Sequence, residues 1–178
     1  NALSNNGKGG MEIYGQGNVE NRIFQNWIGL GRDGSVLPNN GWGIRIRYHA
    51  TDQTIGPDNR IANHPGPAVL IIDSDVDRNT VTQNRTFANA GLGIDIDPEG
   101  VNLNDQYVHS GANERQNFPV IASASRTQVV GQACAGCTVE VFEADSPAGS
   151  YGEGRLYVGT GVADGAGAFS ITVLPVNV

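Results

Sequence analysis

Four short apolar–polar alternations recur along the first hundred residues. They are G-G-M-E-I ending at Ile13, G-W-G-I-R-I ending at Ile46, G-P-A-V-L-I ending at Ile71 and G-L-G-I-D-I ending at Ile96. The last three end 25 residues apart, whereas Ile13 to Ile46 spans 33, and the loop-forming G-R-D-G-S-V-L-P-N-N of residues 31–40 suits the extra length. A second phrase interleaves with the first: N-R-I at 21–23, N-R-I at 59–61 and N-T-V at 79–81. Each phrase has period two and is bounded by Gly, Asn or Pro, which predicts a strand between turns. Short strands repeating in this way predict stacked coils of a parallel β-solenoid, because one coil alone cannot bury its inward face.

Asparagine reinforces the pattern, since 17 of the 18 precede Phe118. At a turn Asn tolerates the left-handed conformation, and its amide can bond an identical amide in the adjacent coil. Beyond Phe118 the asparagines give way to Ala, Val, Thr and Gly. Five alternating runs follow, P-V-I-A-S-A-S, T-Q-V-V-G-Q-A, T-V-E-V-F-E-A, R-L-Y-V-G-T-G-V and G-A-F-S-I-T-V, separated by Gly or Ser-Pro turns. They predict antiparallel strands of a small β-sandwich. The expected organisation is coils and an exit loop over 1–117, then a sandwich over 118–178.

The N-x-I-x-x-N phrases with G-x-G-I-x-I, followed by G-L-G-I-D-I-D-P-E-G-V-N-L-N-D and N-E-R-Q-N-F-P-V-I, resemble the end of a secreted right-handed parallel β-helix repeat protein of the pectate-lyase-like superfold. The resemblance covers about residues 1–121 and is most specific over 91–120. It implies that Q-N-F-P-V at 116–120 marks the exit from the helix into an immunoglobulin-like module. T-V-E-V-F, Y-V-G-T-G-V-A-D and G-A-F-S-I-T-V are similar to bacterial Ig-like modules, which normally continue with a further strand beyond V-N-V. That resemblance implies either a truncated module or pairing supplied by a neighbouring chain. The repeats occur in adhesins, lyases, hydrolases and phage spikes, so the fold alone fixes no activity.

Composition narrows the classes. The chain has 178 residues, 39% of them apolar, enough for one large or two small domains with a real core. Glycine is abundant (25), charged residues are sparse (16%), and Met (one) and Lys (Lys8 only) are nearly absent, leaving few strong helix formers. A net charge of −7, shared by both portions, argues against a nucleic-acid partner. No apolar run approaches the roughly 18 residues of a membrane helix, so membrane insertion is not expected. Without a signal peptide or initiating Met, the chain reads as processed or excised. Cys134 and Cys137 in C-A-G-C lack the second ligand pair of a zinc site and the βαβ context of a thioredoxin-like site. A local disulfide is expected, and with it a secreted or cell-surface location.

Aligning the phrases predicts outward columns Glu12, Arg45, Leu70, Asp95 and Tyr14, Arg47, Ile72, Asp97. Glu12 then pairs with Arg45, and Leu70 and Ile72 form an apolar patch able to serve as an interface. Asp95 and Asp97, about 7 Å apart, suit the acid and base of an inverting glycosidase. Arg45 or Arg47 could act as base or charge stabiliser of a polysaccharide lyase. The plainer alternative is that these side chains only solubilise a strand and that 97–100 is a turn. Trp42, Tyr48, Tyr14 and Trp27 could form a sugar-stacking platform or fill the core. His49, His64 and His109 show no shared metal spacing, and neither a G-x-S-x-G nor an H-E-x-x-H phrase occurs. Asn84-Arg85-Thr86 is a glycosylation sequon.

Asp73, Asp75, Asp77 and Asn79 fill the first four ligand positions of an EF-hand loop, but Arg78 stands where glycine is needed and Asn84 where Glu is needed. The repeat register makes 73–78 a corner, where these side chains would bond their own turn backbone or bind calcium weakly. No other cofactor is expected. The leading expectation is an extracellular structural or adhesive module, self-associating into an ordered assembly. The alternatives are a carbohydrate-active enzyme and a non-catalytic glycan-binding module.

Overall fold

A computed structural model describes residues 1–105, 110–145 and 151–174. The described residues are all-β apart from one 3-10 turn, Ala112–Arg115. The strands in chain order are β1 (Ala2–Leu3), β2 (Met11–Tyr14), β3 (Arg22–Ile23), β4 (Trp27–Ile28), β5 (Ile44–Arg47), β6 (Thr54–Ile55), β7 (Arg60–Ala62), β8 (Val69–Ile71), β9 (Thr80–Val81), β10 (Arg85–Phe87) and β11 (Ile94–Ile96). The remainder are β12 (Val120–Ala124), β13 (Gln128–Gln132), β14 (Thr138–Ala144), β15 (Gly154–Val162) and β16 (Ala168–Thr172). The first eleven form three parallel sheets, β1-β4-β7-β10, β2-β5-β8-β11 and β3-β6-β9, which the chain visits in rotation.

Each circuit lays its apolar residues on those of the circuit before. Ile13, Ile46, Ile71 and Ile96 are in register, as are Ile23, Ile55 and Val81. Ile28, Ile61 and Thr86 form the third column. The isoleucines of these columns from Ile13 to Ile71 are buried in one cluster, each stabilising the fold by about 1.5–3 kcal/mol.

The sheets correct one sequence expectation. N-R-I at 59–61 does not align with the phrases at 21–23 and 79–81, because Ile61 belongs to β7 and stacks on Ile28. The partner of Ile23 and Val81 is Ile55. The circuit has three strand-bearing sides, and the same Asn-first phrase opens two of them.

Polar ladders run up the corners. Asn1 donates to Asn26 at 3.3 Å, the backbone N–H and side-chain amide of Asn26 both donate to Asn59 Oδ1 at 3.0 Å, and Asn59 Nδ2 donates to Asn84 Oδ1 at 2.8 Å. A second ladder runs Asn6, Asn39, His64, Asn89, and a third Asn21, Gln53, Asn79, Asn113. The amides therefore stack as the sequence suggested, with Gln53 and His64 substituting at two rungs. Most ladder asparagines are not themselves left-handed; that conformation falls on the residue before. Asn5, Glu20, Gln25, Asp52, Asp58, Asn63, Arg78, Gln83 and Ala88 all have positive φ. The left-handed residue turns the corner, so the next side chain joins the ladder, and those hydrogen bonds offset a backbone cost of about 1–2 kcal/mol.

The antiparallel portion forms the sheets β12-β13-β16 and β14-β15. Val129, Val139, Val158, Phe169 and Ile171 from both sheets share one apolar cluster. The Cys134–Cys137 disulfide closes the turn before β14. This portion sits on the last circuit. Glu153 accepts from the backbone N–H and side-chain amide of Asn89 at 2.8 and 2.6 Å, extending the second ladder by one rung. Gly154 N–H donates to Thr86 Oγ1 at 3.1 Å, Ala88 N–H donates to Asp145 at 2.7 Å, and Glu140 accepts from Thr82 and Gln83.

Candidate functional site

The outer face of β2-β5-β8-β11 gathers most of the side chains singled out above. β5 carries I-R-I-R, so period two buries Ile44 and Ile46 and turns Arg45 and Arg47 outward. The registers Glu12, Arg45, Leu70, Asp95 and Tyr14, Arg47 match the expected columns. Arg45 donates to Glu12 Oε1 through Nε at 2.9 Å and Nη2 at 2.6 Å, and Arg47 Nε reaches the same oxygen at 2.8 Å. Burial alone would raise the Glu12 pKa, but the Arg45 hydrogen bond and charge, followed by those of Arg47, hold it below the ordinary carboxylate value.

The Arg45 guanidinium also lies over the Trp42 ring, 3.6 Å from its centroid. Trp42 is seated against Gly9, where a Cβ would fall 2.2 Å from the indole nitrogen, so this position requires glycine. Tyr14 and Tyr48 stack at 4.9 Å with planes 8° apart, and Arg47 lies over Tyr14 at 4.9 Å. Trp27 lies on a different sheet, on β4, so the four aromatic residues form no single platform.

A groove of about 530 Å³ opens beside this face, lined by Trp42, Pro67, Leu70, Ile72, Asp97 and Glu99 among others. Leu70 and Ile72 are half-buried in it rather than fully displayed. Glu99 is a charged lining residue that the sequence did not single out. It shares the 97–100 turn with Asp97, and only that turn's placement over the groove would have indicated it.

Asp95 departs from expectation. It is in the outward column but only 3% exposed, because the 97–100 turn closes over it and Gly100 N–H donates to its Oδ1 at 3.0 Å. Burial raises its pKa; the Gly100 hydrogen bond opposes the shift, and the charges of Glu99 and Asp97 add to it. Asp95 and Asp97 therefore differ in setting, the first enclosed and the second lining the groove.

At the 73–78 corner Asp73 and Asp75 bond the preceding circuit rather than their own turn. Asp73 accepts from Tyr48 N–H at 3.0 Å, and Asp75 accepts from His49 N–H at 3.4 Å and lies 2.6 Å from His49 Nδ1. Asp77 Oδ1 is buried without a partner. Among the described residues, no three His, Cys, Asp or Glu side chains converge as a metal cage. His64 is a buried ladder rung whose pKa is lowered by burial, against hydrogen bonds at Asn39 and Ile28. His109 lies outside the described residues. Asn84 of the sequon is buried, donating to Ile55 O and accepting from Asn59, so it is closed to glycosylation in the folded chain. A larger groove, about 780 Å³, follows the second ladder past Asn6, Asn39, His64 and Asn89, which are bonded to one another along the ladder, while His64 Nε2 is buried without a hydrogen-bond partner. Among the described residues no helix is long and apolar enough to cross a membrane.

No protein-family model, no curated protein and no solved structure matches this chain.

Proposed function

We propose that the chain is a structural, adhesive module of a secreted or cell-surface protein: a right-handed parallel β-helix of the pectate-lyase-like type with an Ig-like module seated on its last coil, able to self-associate. The observation that carries this reading is where the buried polar groups are invested. Asn26, Asn59, Asn84, Asn39, His64, Gln53 and Asn79 are buried and bonded from circuit to circuit, and Glu153 continues one ladder into the second module. Arg45 and Arg47 are held by Glu12, and Asp95 by its own turn. A catalytic base or acid needs a free lone pair or proton facing a substrate. Asp73 Oδ2 and Asp75 Oδ1 accept from backbone amides of the preceding circuit and Asp75 Oδ2 faces His49 Nδ1, which supports a structural part for this corner. The disulfide fits an oxidising exterior.

A second reading, glycan recognition with or without turnover, draws on the groove beside Trp42, where an aromatic residue, Leu70 and Ile72 meet the carboxylates of Asp97 and Glu99. Light scattering across concentrations, run beside a polysaccharide digestion panel, separates the two. Concentration-dependent association without sugar release fits the scaffold. A strict monomer that releases reducing or unsaturated sugars, with loss of release in Asp95→Asn or Arg45→Ala, would replace it with an enzyme. Sugar binding without release, lost in Trp42→Ala, would replace it with a binding module.

A further inference from the structure

Tyr48 departs from the pattern of its strand. β5 turns Ile44 and Ile46 inward and Arg45 and Arg47 outward, so an unbroken strand would bury the next side chain. Instead Tyr48 and His49 are left-handed, with φ 53 and 59, and Tyr48 stays outside, 47% exposed. The same corner is left-handed on the circuits before and after, but there it falls on Gly15 (φ 106) and Asp73 (φ 76), residue types that tolerate it. A bulky aromatic residue in that conformation is an outlier, and it persists only where its surroundings hold it.

The surroundings hold Tyr48 against Tyr14. Tyr48 N–H donates to Asp73 Oδ2 at 3.0 Å, and its carbonyl accepts from Gly15 N–H at 3.0 Å. The two tyrosine rings lie nearly parallel, 8° apart in plane with centroids 4.9 Å apart, an offset stack. Tyr14 is 48% exposed, so the pair is open to solvent. The other described tyrosines have different neighbours, Tyr151 meeting Phe118 and Tyr157 meeting Phe142, each edge to face. The circuits that carry Tyr14 and Tyr48 contain no cysteine, since the two in the chain are Cys134 and Cys137, and these circuits are joined by hydrogen bonds and packing.

We propose that Tyr14 and Tyr48 are a site of oxidative cross-linking, at which a haem peroxidase with hydrogen peroxide joins the two phenols as a dityrosine and staples the first circuit to the second. Each phenol gives up one electron and its hydroxyl proton, leaving a phenoxyl radical with unpaired density on the carbons ortho to oxygen. The two radicals form a Cε–Cε bond, and each ring then passes the hydrogen at that carbon to its oxygen as a proton, which restores the phenol. The two electrons and two protons removed reduce one hydrogen peroxide to two water molecules. Holding both rings in place converts an encounter between two radicals into a step within one molecule. From an offset stack a short slide brings the two Cε atoms together. Because the site depends only on the positions of two rings, it stands apart from the scaffold and glycan readings.

The test treats the dilute intact protein with a haem peroxidase and hydrogen peroxide. Dityrosine fluorescence is expected in a species that stays monomeric and has lost the mass of two hydrogen atoms. Tryptic mapping should join the peptide of residues 9–22 to that of 48–60. Tyr14→Phe and Tyr48→Phe keep a ring in the stack and should melt within about 2 °C of wild type before oxidation, yet each should lose the internal cross-link. Tyr151→Phe should keep it. Closing the loop between residues 14 and 48 should raise the melting temperature of the oxidised wild type by about 5 °C or more, with no such rise in oxidised Tyr48→Phe. Cross-links that form only between molecules, an internal cross-link that survives in Tyr14→Phe or Tyr48→Phe, or an oxidised wild type that melts like oxidised Tyr48→Phe would each overturn the proposal.

Discussion

Asn59 Nδ2 donates to Asn84 Oδ1 at 2.8 Å across two successive circuits, and both side chains are buried. Asn59 also accepts from Asn26 and donates to Ile23 O, so its side chain is saturated on both sides. Asn59→Ala would orphan several buried donors and acceptors at once. Each costs about 1–3 kcal/mol when left unsatisfied, so we expect a loss of at least ~2 kcal/mol in chemical denaturation. Asn59→Asp should also be destabilising, since a carboxylate cannot donate to Ile23 O or Asn84. A change under about 0.5 kcal/mol in both variants would mean that the ladder is not stabilising.

Asp95 predicts a pH dependence with a definite sign. Its folded pKa is raised above the ordinary value of 3.8, chiefly by burial. Its contribution to stability is therefore fully present below the unfolded pKa and is lost as pH rises through the folded pKa. Asp95→Asn keeps an acceptor for Gly100 N–H and carries no charge. The melting temperature of the variant minus that of wild type should thus become more positive between about pH 3 and about pH 7. A difference that stays flat, or shrinks as pH rises, contradicts the enclosed setting.

Gly29 has φ +79, and a Cβ there would fall 1.9 Å from the carbonyl oxygen of Ala62. Both the left-handed backbone and the close approach of the next circuit exclude a side chain. We expect Gly29→Ala to cost more than about 2 kcal/mol. Gly34, with φ +86 and open space around it, should lose only about 1 kcal/mol on the same change. Thermal melts of the two variants compare packing with backbone strain directly.

The strands that are legible in the sequence are those long enough to show a period. β2, β5, β8 and β11 are three or four residues long and share one recurring phrase, spaced by 25 residues over the last three, so aligning the phrase stacks Ile13, Ile46, Ile71 and Ile96, and the outward Glu12–Arg45 pair with them. β4 and β6 are two residues each and show no period. The shared Asn before both Arg22 and Arg60 then draws Ile61 into the wrong column. Asp95 has the expected register and a different exposure, because its burial comes from the turn that follows it rather than from its strand. Glu153 lies beyond reach for a different reason: its partner Asn89 is 64 residues earlier, and no local pattern links a carboxylate in one portion to an amide ladder in the other.

The link between Asn89 and Glu153 is the most direct test of the account, since it makes the second module the last rung of the stacked circuits. The measurement is a double-mutant cycle on stability with Asn89→Ala, Glu153→Ala and the pair, which cancels the loss of the His64–Asn89 bond common to one side of the cycle. A coupling of about 1–3 kcal/mol is expected for a buried amide pair donating to a carboxylate. Additivity within about 0.5 kcal/mol would mean that the two portions fold side by side without this rung, and would contradict the account.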